Sequence, residues 1–144
     1  MGTALLIDAE NVSTVFWPQM LQQVGRKCRP VGKVFADFAS GRCKQWREIA
    51  EQEGFALVMR PGGSNATDIA IAIAAMELRQ TGQFDTFYLA SSDRDYTPLV
   101  ERLRSDGLIV VGLGEAKAPS TLRAACSRFV VLKKRQTPTL AKAA

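Results

Sequence analysis

The chain of 144 residues contains no histidine. This absence excludes Ser-His-Asp and Cys-His nucleophile systems, histidine general bases, and every zinc site that uses imidazole ligands. Any chemistry performed by the protein must therefore come from carboxylates, hydroxyls or cysteines.

Cysteines are few, and no long hydrophobic run occurs. Cys28, Cys43 and Cys126 are far apart and form no Cys-x-x-Cys pair, so we expect reduced packing residues rather than a metal or redox centre. The longest apolar run, Ile69 to Met76, is far shorter than the ~20 residues that a membrane helix needs. Because no basic-then-apolar leader opens the chain, we expect a soluble, cytoplasmic protein with no membrane partner.

Net charge is concentrated at one end of the chain. The formal charge is +5, and the segment from Lys133 onward holds four basic residues and no acid. Removing those four from the nineteen basic residues leaves fifteen against fourteen acids, so the rest is close to neutral. We expect one domain over residues 1–132, followed by a basic segment, 133–144, that is a disordered tail or a truncated linker.

Short apolar runs alternate with segments of helical spacing along the whole chain. This alternation predicts a three-layer α/β/α sandwich with a mainly parallel, Rossmann-like central sheet. The predicted strands are Thr3–Ile7, Lys33–Phe38, Phe55–Met59, Phe84–Ala90, Leu108–Leu113 and Arg128–Leu132. The segment Asp68–Leu78 is apolar nearly all round, which predicts a helix packed on both sides with Asp68 at its start.

Acidic residues follow the predicted strands at their carboxyl ends, where open α/β sheets bind ligands. Asp8 ends the first strand, with Glu10 and Asn11 after it, and Asp93 and Asp95 follow the fourth. Asp37, near the end of the second strand, could join them or only orient a partner, and Glu10 could point to solvent. Packed carboxylates repel one another, and oxygen ligands without histidine or cysteine suit Mg²⁺ or Mn²⁺. Asp68 and Asp95 each have an alternative role as helix caps.

Hydroxyl and basic side chains lie near the same edge. Ser91 and Ser92 stand beside Asp93, where a hydroxyl could bind a phosphate, although neither has the adjacent base that a nucleophile needs. Arg42, Lys44 and Arg94 are candidate contacts to a nucleic-acid backbone, with ordinary solvated surface as the alternative. Arg47, Arg60 and Lys117 are placed near the same rim.

Two motif blocks resemble a known family. Leu5-Leu6-Ile7-Asp8-Ala9-Glu10-Asn11, the Asp68 helix, and the run from Ser91 to Val100 with Leu103 and Gly107 after it are similar to the NYN domain of the PIN-like nuclease superfamily. The bacterial LabA-like branch is the most similar, and the resemblance spans residues 3–132. It implies a PIN-like sheet and cleavage of RNA by a metal-activated water. On the matching positions, Asp8, Asp68, Asp93 and Asp95 would carry Mg²⁺ or Mn²⁺, with Asn11 and a serine assisting.

Two positions depart from the family pattern. The family often has a lysine three residues before the middle aspartate and a further acid about two turns after it, where this chain has Asn65 and Ala74. Two other folds fit less well: a Toprim-like site expects a glutamate where Asp8 stands, and a receiver domain expects a lysine at the end of the fifth strand.

Two functions follow from the sequence. The leading one is a metal-dependent (endo)ribonuclease. The alternative is a catalytically weak RNA-binding or regulatory module that acts through protein or RNA partners. The sequence leaves open whether the protein forms a homodimer and whether it acts with a C-terminal or separate RNA-binding domain.

Overall fold

A computed structural model describes residues 2–25, 30–38, 41, 43–59 and 64–134, with only the backbone at Ser64. Six strands and five α-helices alternate within this part of the chain. The strands are β1 (Gly2–Asp8), β2 (Val31–Ala36), β3 (Ala56–Met59), β4 (Phe84–Ala90), β5 (Ile109–Gly114) and β6 (Arg128–Val131). The helices are α1 (Trp17–Val24), α2 (Lys44–Glu53), α3 (Ser64–Gln80), α4 (Thr97–Ser105) and α5 (Ser120–Ala125).

All six strands are parallel, and their spatial order is β3-β2-β1-β4-β5-β6. The order reverses between β1 and β4, where Ile7 pairs with Ala90. In open α/β sheets this switch point opens a crevice beyond the carboxyl ends of the strands. Asp8, the last residue of β1, and Ser91, the residue directly after β4, therefore lie at the base of that crevice.

Helices cover both faces of the sheet, because alternate strand residues are apolar on both sides. Leu5 and Ile7 pack with α1 and α2, including Met20 and Trp46. Ala4 and Leu6 face the opposite side, where they pack with α3, α4 and α5. The predicted three-layer α/β/α fold with a parallel central sheet is confirmed.

The prediction that α3 is packed on both sides is wrong. Ile69 is 61% exposed and Ile73 is 53% exposed, while Ile71 is fully buried. The helix also begins at Ser64, so Asp68 lies in its second turn and not at its start. Hydrophobicity alone could not identify the outer face, because both faces of this helix carry isoleucine.

Two of the three cysteines lie in buried positions, as expected of packing residues. Cys43 and Cys126 are both buried, and burial raises the pKa of the Cys126 thiol. Cys28 lies outside the described residues, and so do residues 135–144 of the predicted tail. Within the described part of the chain, no helix is both long and apolar enough to cross a membrane.

Candidate metal and nucleic-acid site

Asp8 is the buried centre of the crevice. Its carboxylate is fully buried at the end of β1. One oxygen, Oδ2, accepts hydrogen bonds from Asn11 Nδ2 at 2.8 Å, Ser91 Oγ at 3.1 Å and the Tyr96 hydroxyl at 3.2 Å. The other oxygen, Oδ1, is buried without a hydrogen-bond partner among the described residues. A buried, unpartnered carboxylate oxygen is costly, so it favours a further ligand at this position.

The environment of Asp8 opposes its negative charge. Burial raises the pKa of Asp8 to about 6, and the nearby Asp68 charge adds to the rise. The bonds from Asn11, Ser91 and Tyr96 act in the opposite direction, since they stabilise the charged form. A cation beside Asp8 would relieve the cost of ionising it.

Tyr96 joins Asp8 to Asp68. Its hydroxyl lies 2.9 Å from Asp68 Oδ1 and 3.2 Å from Asp8 Oδ2. Burial, followed by the two neighbouring charges, holds the pKa of Tyr96 far above its usual range, so the phenol stays a neutral donor. Tyr96 was not predicted to be a site residue, because a tyrosine before Thr97-Pro98 has the pattern of an ordinary packing residue at a helix start.

Three of the predicted metal ligands converge. Oxygen atoms of Asp68, Asp93 and Asp95 all lie within 4.8 Å of one another. We call these three residues the acidic cluster. Asp68 comes from the second turn of α3, and the other two from the loop after β4. Burial raises the pKa of Asp68, and its cluster neighbours raise it further. The Tyr96 hydroxyl connects Asp68 to Asp8, the fourth predicted ligand.

Asp93 also shapes the loop that carries it. Asp93 Oδ1 accepts a hydrogen bond from the Asp95 backbone N–H at 2.9 Å and so caps the 3-10 turn Arg94–Tyr96. The capped turn places the Asp95 carboxylate in the acidic cluster and the Tyr96 side chain in the protein interior. The capping role foreseen as an alternative for Asp95 therefore belongs to Asp93 in the folded chain.

The two serines hold backbone and carboxylates in place. Ser91 is 1% exposed, and its hydroxyl contacts Asp8 Oδ2 and accepts from the Asp93 backbone N–H at 3.1 Å. Ser92 Oγ accepts from the Glu115 backbone N–H at 2.8 Å. Both were predicted to bind nucleic acid, and this stays a prediction. The Ser91 hydroxyl is buried and engaged with Asp8, whereas Ser92 lines a cleft and its hydroxyl keeps its own hydrogen to donate.

Glu10 forms hydrogen bonds within the protein, although the sequence left open that it points to solvent. Its carboxylate accepts from the Asp37 backbone N–H at 3.1 Å and from Thr67 Oγ1 at 3.2 Å. Thr67 is fully buried, one residue before Asp68. Glu10 thus ties the β1 end to the β2 end and to α3. No sequence signal links positions 10 and 67, which are 57 residues apart.

Four of the six predicted cations lie within the described residues. Lys44, the first residue of α2, and Arg94 are exposed. Arg42 and Arg60 lie outside the described residues. Lys117 lines a cleft of about 200 Å³ together with Asn11, Ser92 and Asp93. A second cleft, of about 390 Å³, shares Asn11 and Lys117 and continues past Ser13, Thr14 and Gln45.

A groove lies on the other side of the acidic cluster, between α3 and α4. It measures about 410 Å³, and its lining includes Asp68, Met76, Asp95, Leu99 and Arg102. Arg102 Nε lies 3.3 Å from Asp106 Oδ2. Two open depressions therefore border the acidic cluster, one at Asp93 and the other at Asp68 and Asp95.

The residues present fit a divalent cation. Mg²⁺ and Mn²⁺ prefer carboxylate oxygens, and the acidic cluster offers three within reach of a single ion. The buried, unpartnered Oδ1 of Asp8 provides an independent indication. Ala74, where the family often has another acid, is a buried residue of α3 and packs in the hydrophobic core.

Comparisons with known proteins identify the family of the chain and its fold. The family model for the NYN domain matches residues 2–133. A crystal structure of a protein of unknown function from Vibrio parahaemolyticus RIMD 2210633 has the same fold, with a TM-score of 0.72 and 22% sequence identity. The match covers 92% of this chain and 93% of that one. No curated protein sequence matches the chain.

Proposed function

The chain belongs to the NYN domain family, whose members are generally nucleases, and from this membership we propose that it is a metal-dependent ribonuclease. The substrate is RNA, and the bound ion is Mg²⁺ or Mn²⁺. The placement within the LabA-like branch is part of the same proposal, since it rests on motif resemblance.

One observation carries the proposal. Three carboxylates from two separate segments meet within 4.8 Å at the switch point of the sheet, beside a buried carboxylate with an unpartnered oxygen. Like charges gathered in this way cost free energy unless a cation or a proton compensates them. A set made only of oxygen ligands, in a chain without histidine, is typical of the sites that cleave phosphodiesters with bound Mg²⁺ or Mn²⁺.

Each residue has a role that follows from its contacts. Asp68, Asp93 and Asp95 would hold the ion, and Asp8 would complete the set through Oδ1. When bound, the ion supplies a water of lowered pKa and neutralises charge on the scissile phosphate. Asn11, Ser91 and Tyr96 fix the other oxygen of Asp8, so its carboxylate cannot rotate away.

The test is cleavage of labelled RNA with Mn²⁺, with Mg²⁺ and with EDTA. Asp93→Asn removes one charge of the acidic cluster but keeps an oxygen that can cap the Asp95 N–H, so it should fold. Asp85→Asn is the matched control, because Asp85 lies at the opposite end of β4 and contacts Thr86. We expect metal-dependent cleavage by the wild type and by Asp85→Asn, and a loss of at least 100-fold in Asp93→Asn.

Two results would contradict the proposal. Cleavage that survives EDTA, or that is equal in Asp93→Asn, would come from another nuclease in the preparation. Absence of cleavage with retained RNA binding would favour the alternative, a regulatory RNA-binding module, which the exposed Asn65 in place of the family lysine also allows.

A further inference from the structure

Lys117 is an exposed basic side chain that lines a cleft beside the acidic cluster, where it could receive a phosphate. It lines the cleft that Asn11, Ser92 and Asp93 also line, and Asp93 belongs to the cluster. It also lines the adjoining cleft, which Ser13, Thr14 and Gln45 continue. We call these two depressions together the polar cleft.

The turn that carries Lys117 is held firmly. The Glu115 N–H donates to Ser92 Oγ at 2.8 Å, and the Ala118 N–H donates to the Glu115 carbonyl at 3.0 Å. Arg123 Nε donates to the Ala118 carbonyl at 3.1 Å, and Ala118 itself is buried. Because both ends of the turn are fixed, the backbone of Lys117 stays at a set position relative to Asp93.

Among the described residues that line the α3–α4 groove, the basic one is Arg102, which is paired with Asp106 at 3.3 Å. Among those that line the polar cleft, Lys117 alone is basic, while Glu10, Asp93 and Glu115 are acidic. Lys117 is therefore the one described lining charge of this cleft that attracts a phosphate. An ammonium group acts as a point charge for phosphate, which suits a mobile side chain on a fixed turn.

We propose that Lys117 binds the RNA phosphate next to the scissile one, and that the strand leaves the acidic cluster through the polar cleft. This inference rests on the proposed ribonuclease function and adds the path that the bound strand takes away from the acidic cluster. The neutral hydrogen-bonding groups of Ser13, Thr14 and Gln45 then face the following nucleotide. Thr14 Oγ1 donates to Gln45 Oε1 at 2.9 Å, so the two walls of the cleft are joined there.

The test compares three variants of the full chain with the wild type. Lys117→Gln removes the charge, Lys117→Arg keeps it, and Arg128→Gln removes one charge at the amino end of β6, on the far edge of the sheet. Binding of a fluorescent single-stranded RNA is measured with Ca²⁺ in place of Mn²⁺, over a series of salt concentrations. Mn²⁺ affinity is measured separately by calorimetry.

We expect Lys117→Gln to weaken RNA binding about fivefold and to reduce the slope of log K against log salt by about 0.7, the contribution of one single-strand phosphate contact. Lys117→Arg and Arg128→Gln should bind as the wild type does, and Mn²⁺ affinity should not fall in any of the three. In cleavage assays, Lys117→Gln should raise KM more than it lowers kcat.

The outcomes separate the two proposals. If the wild type cleaves RNA with Mn²⁺ while Lys117→Gln binds with an unchanged affinity and salt slope, the inference about Lys117 is wrong and the ribonuclease proposal stands. If the wild type neither binds nor cleaves RNA, both fail. A loss of Mn²⁺ affinity in Lys117→Gln would also overturn the inference, because it would place the effect at the metal site.

Discussion

The Tyr96 hydroxyl lies 2.9 Å from Asp68 Oδ1 and links that carboxylate to Asp8 on its other side, at 3.2 Å. A phenol has one hydrogen to donate, so it can satisfy one of the two carboxylates at a time. The pair therefore competes for a single donor when both are ionised. A cation shared with the acidic cluster would remove this competition, since it compensates both charges at once.

Replacing Tyr96 with phenylalanine should separate this link from the packing of the ring. Tyr96 is 2% exposed, so the ring of Tyr96→Phe fills the same space and the fold should persist. We expect the free energy of unfolding to fall by about 1 kcal/mol, the usual net value of a buried hydrogen bond. Mn²⁺ affinity should fall roughly tenfold, because residues that orient metal ligands commonly contribute that much.

Tyr88→Phe is the matched control for this measurement. The Tyr88 hydroxyl donates to the Gln23 carbonyl at 3.3 Å and has no contact with the acidic cluster among the described hydrogen bonds. It should leave Mn²⁺ affinity at the wild-type value. Equal Mn²⁺ affinity in the wild type and Tyr96→Phe would show that the phenol does not orient the site.

The pKa of Asp8 predicts how stability varies with pH in the absence of metal. Its pKa is about 6 in the folded protein and 3.8 in the reference state, so the folded chain binds more protons between these values. Stability must therefore fall as pH rises through this window, by at most about 3 kcal/mol for a shift of this size. The raised pKa of Asp68 acts in the same direction.

Urea unfolding in EDTA at pH 4.5, 5.5, 6.5 and 7.5 tests this prediction against Asp8→Asn. Subtracting the two curves cancels the titration of the carboxylates that do not interact with Asp8. We expect Asp8→Asn to gain stability relative to the wild type as pH rises. A constant difference across the series would mean that burial does not penalise the Asp8 charge.

Much of the fold could be predicted from local pattern, and so could the edge at which the acids meet. The strand β4 was predicted with the bounds that it has, and the carboxyl ends of parallel strands bring Asp8 and Asp93 to one rim whatever the loops do. The predicted metal and substrate roles of these residues stay predictions.

The links between those acids could not be predicted, because each depends on a contact between distant positions. Tyr96 reaches Asp8 across 88 residues, and Thr67 reaches Glu10 across 57. The orientation of α3 was missed for a related reason. Which of its isoleucines is buried depends on how the helix is rotated against the sheet, and composition carries no information about that rotation.

Gly114, the last residue of β5, leaves no room for a side chain, because the backbone at Ser91 passes close to it. A Cβ at this position would lie 2.8 Å from the Ser91 carbonyl oxygen, from Ser92 Oγ and from Phe129 Cζ. The carbonyl belongs to the backbone and cannot rotate aside. We expect Gly114→Ala to cost about 1–3 kcal/mol of unfolding free energy, the usual range for overpacking.

The same substitution should loosen the turn that carries Lys117. Displacing Ser92 removes the acceptor of the Glu115 N–H, so that amide should exchange with solvent faster. The Ser127 N–H, which donates to the Val110 carbonyl at 2.8 Å, is the internal reference. If both amides exchange at wild-type rates in Gly114→Ala, Ser92 is not displaced and the close approach is relieved elsewhere.

The exposed face of α3 can be tested with two alanine substitutions in the same helix. Ile71 is fully buried, so Ile71→Ala should cost about 2–5 kcal/mol through lost burial and the cavity that it leaves. Ile73 is 53% exposed, so Ile73→Ala should change stability by no more than about 0.5 kcal/mol. Both variants gain the same helix propensity, so the comparison isolates burial.

Urea unfolding at two protein concentrations measures both effects. A cost above about 2 kcal/mol at Ile73 would contradict its exposed placement, and a cost that grew with protein concentration would show that a second copy of the chain covers this face.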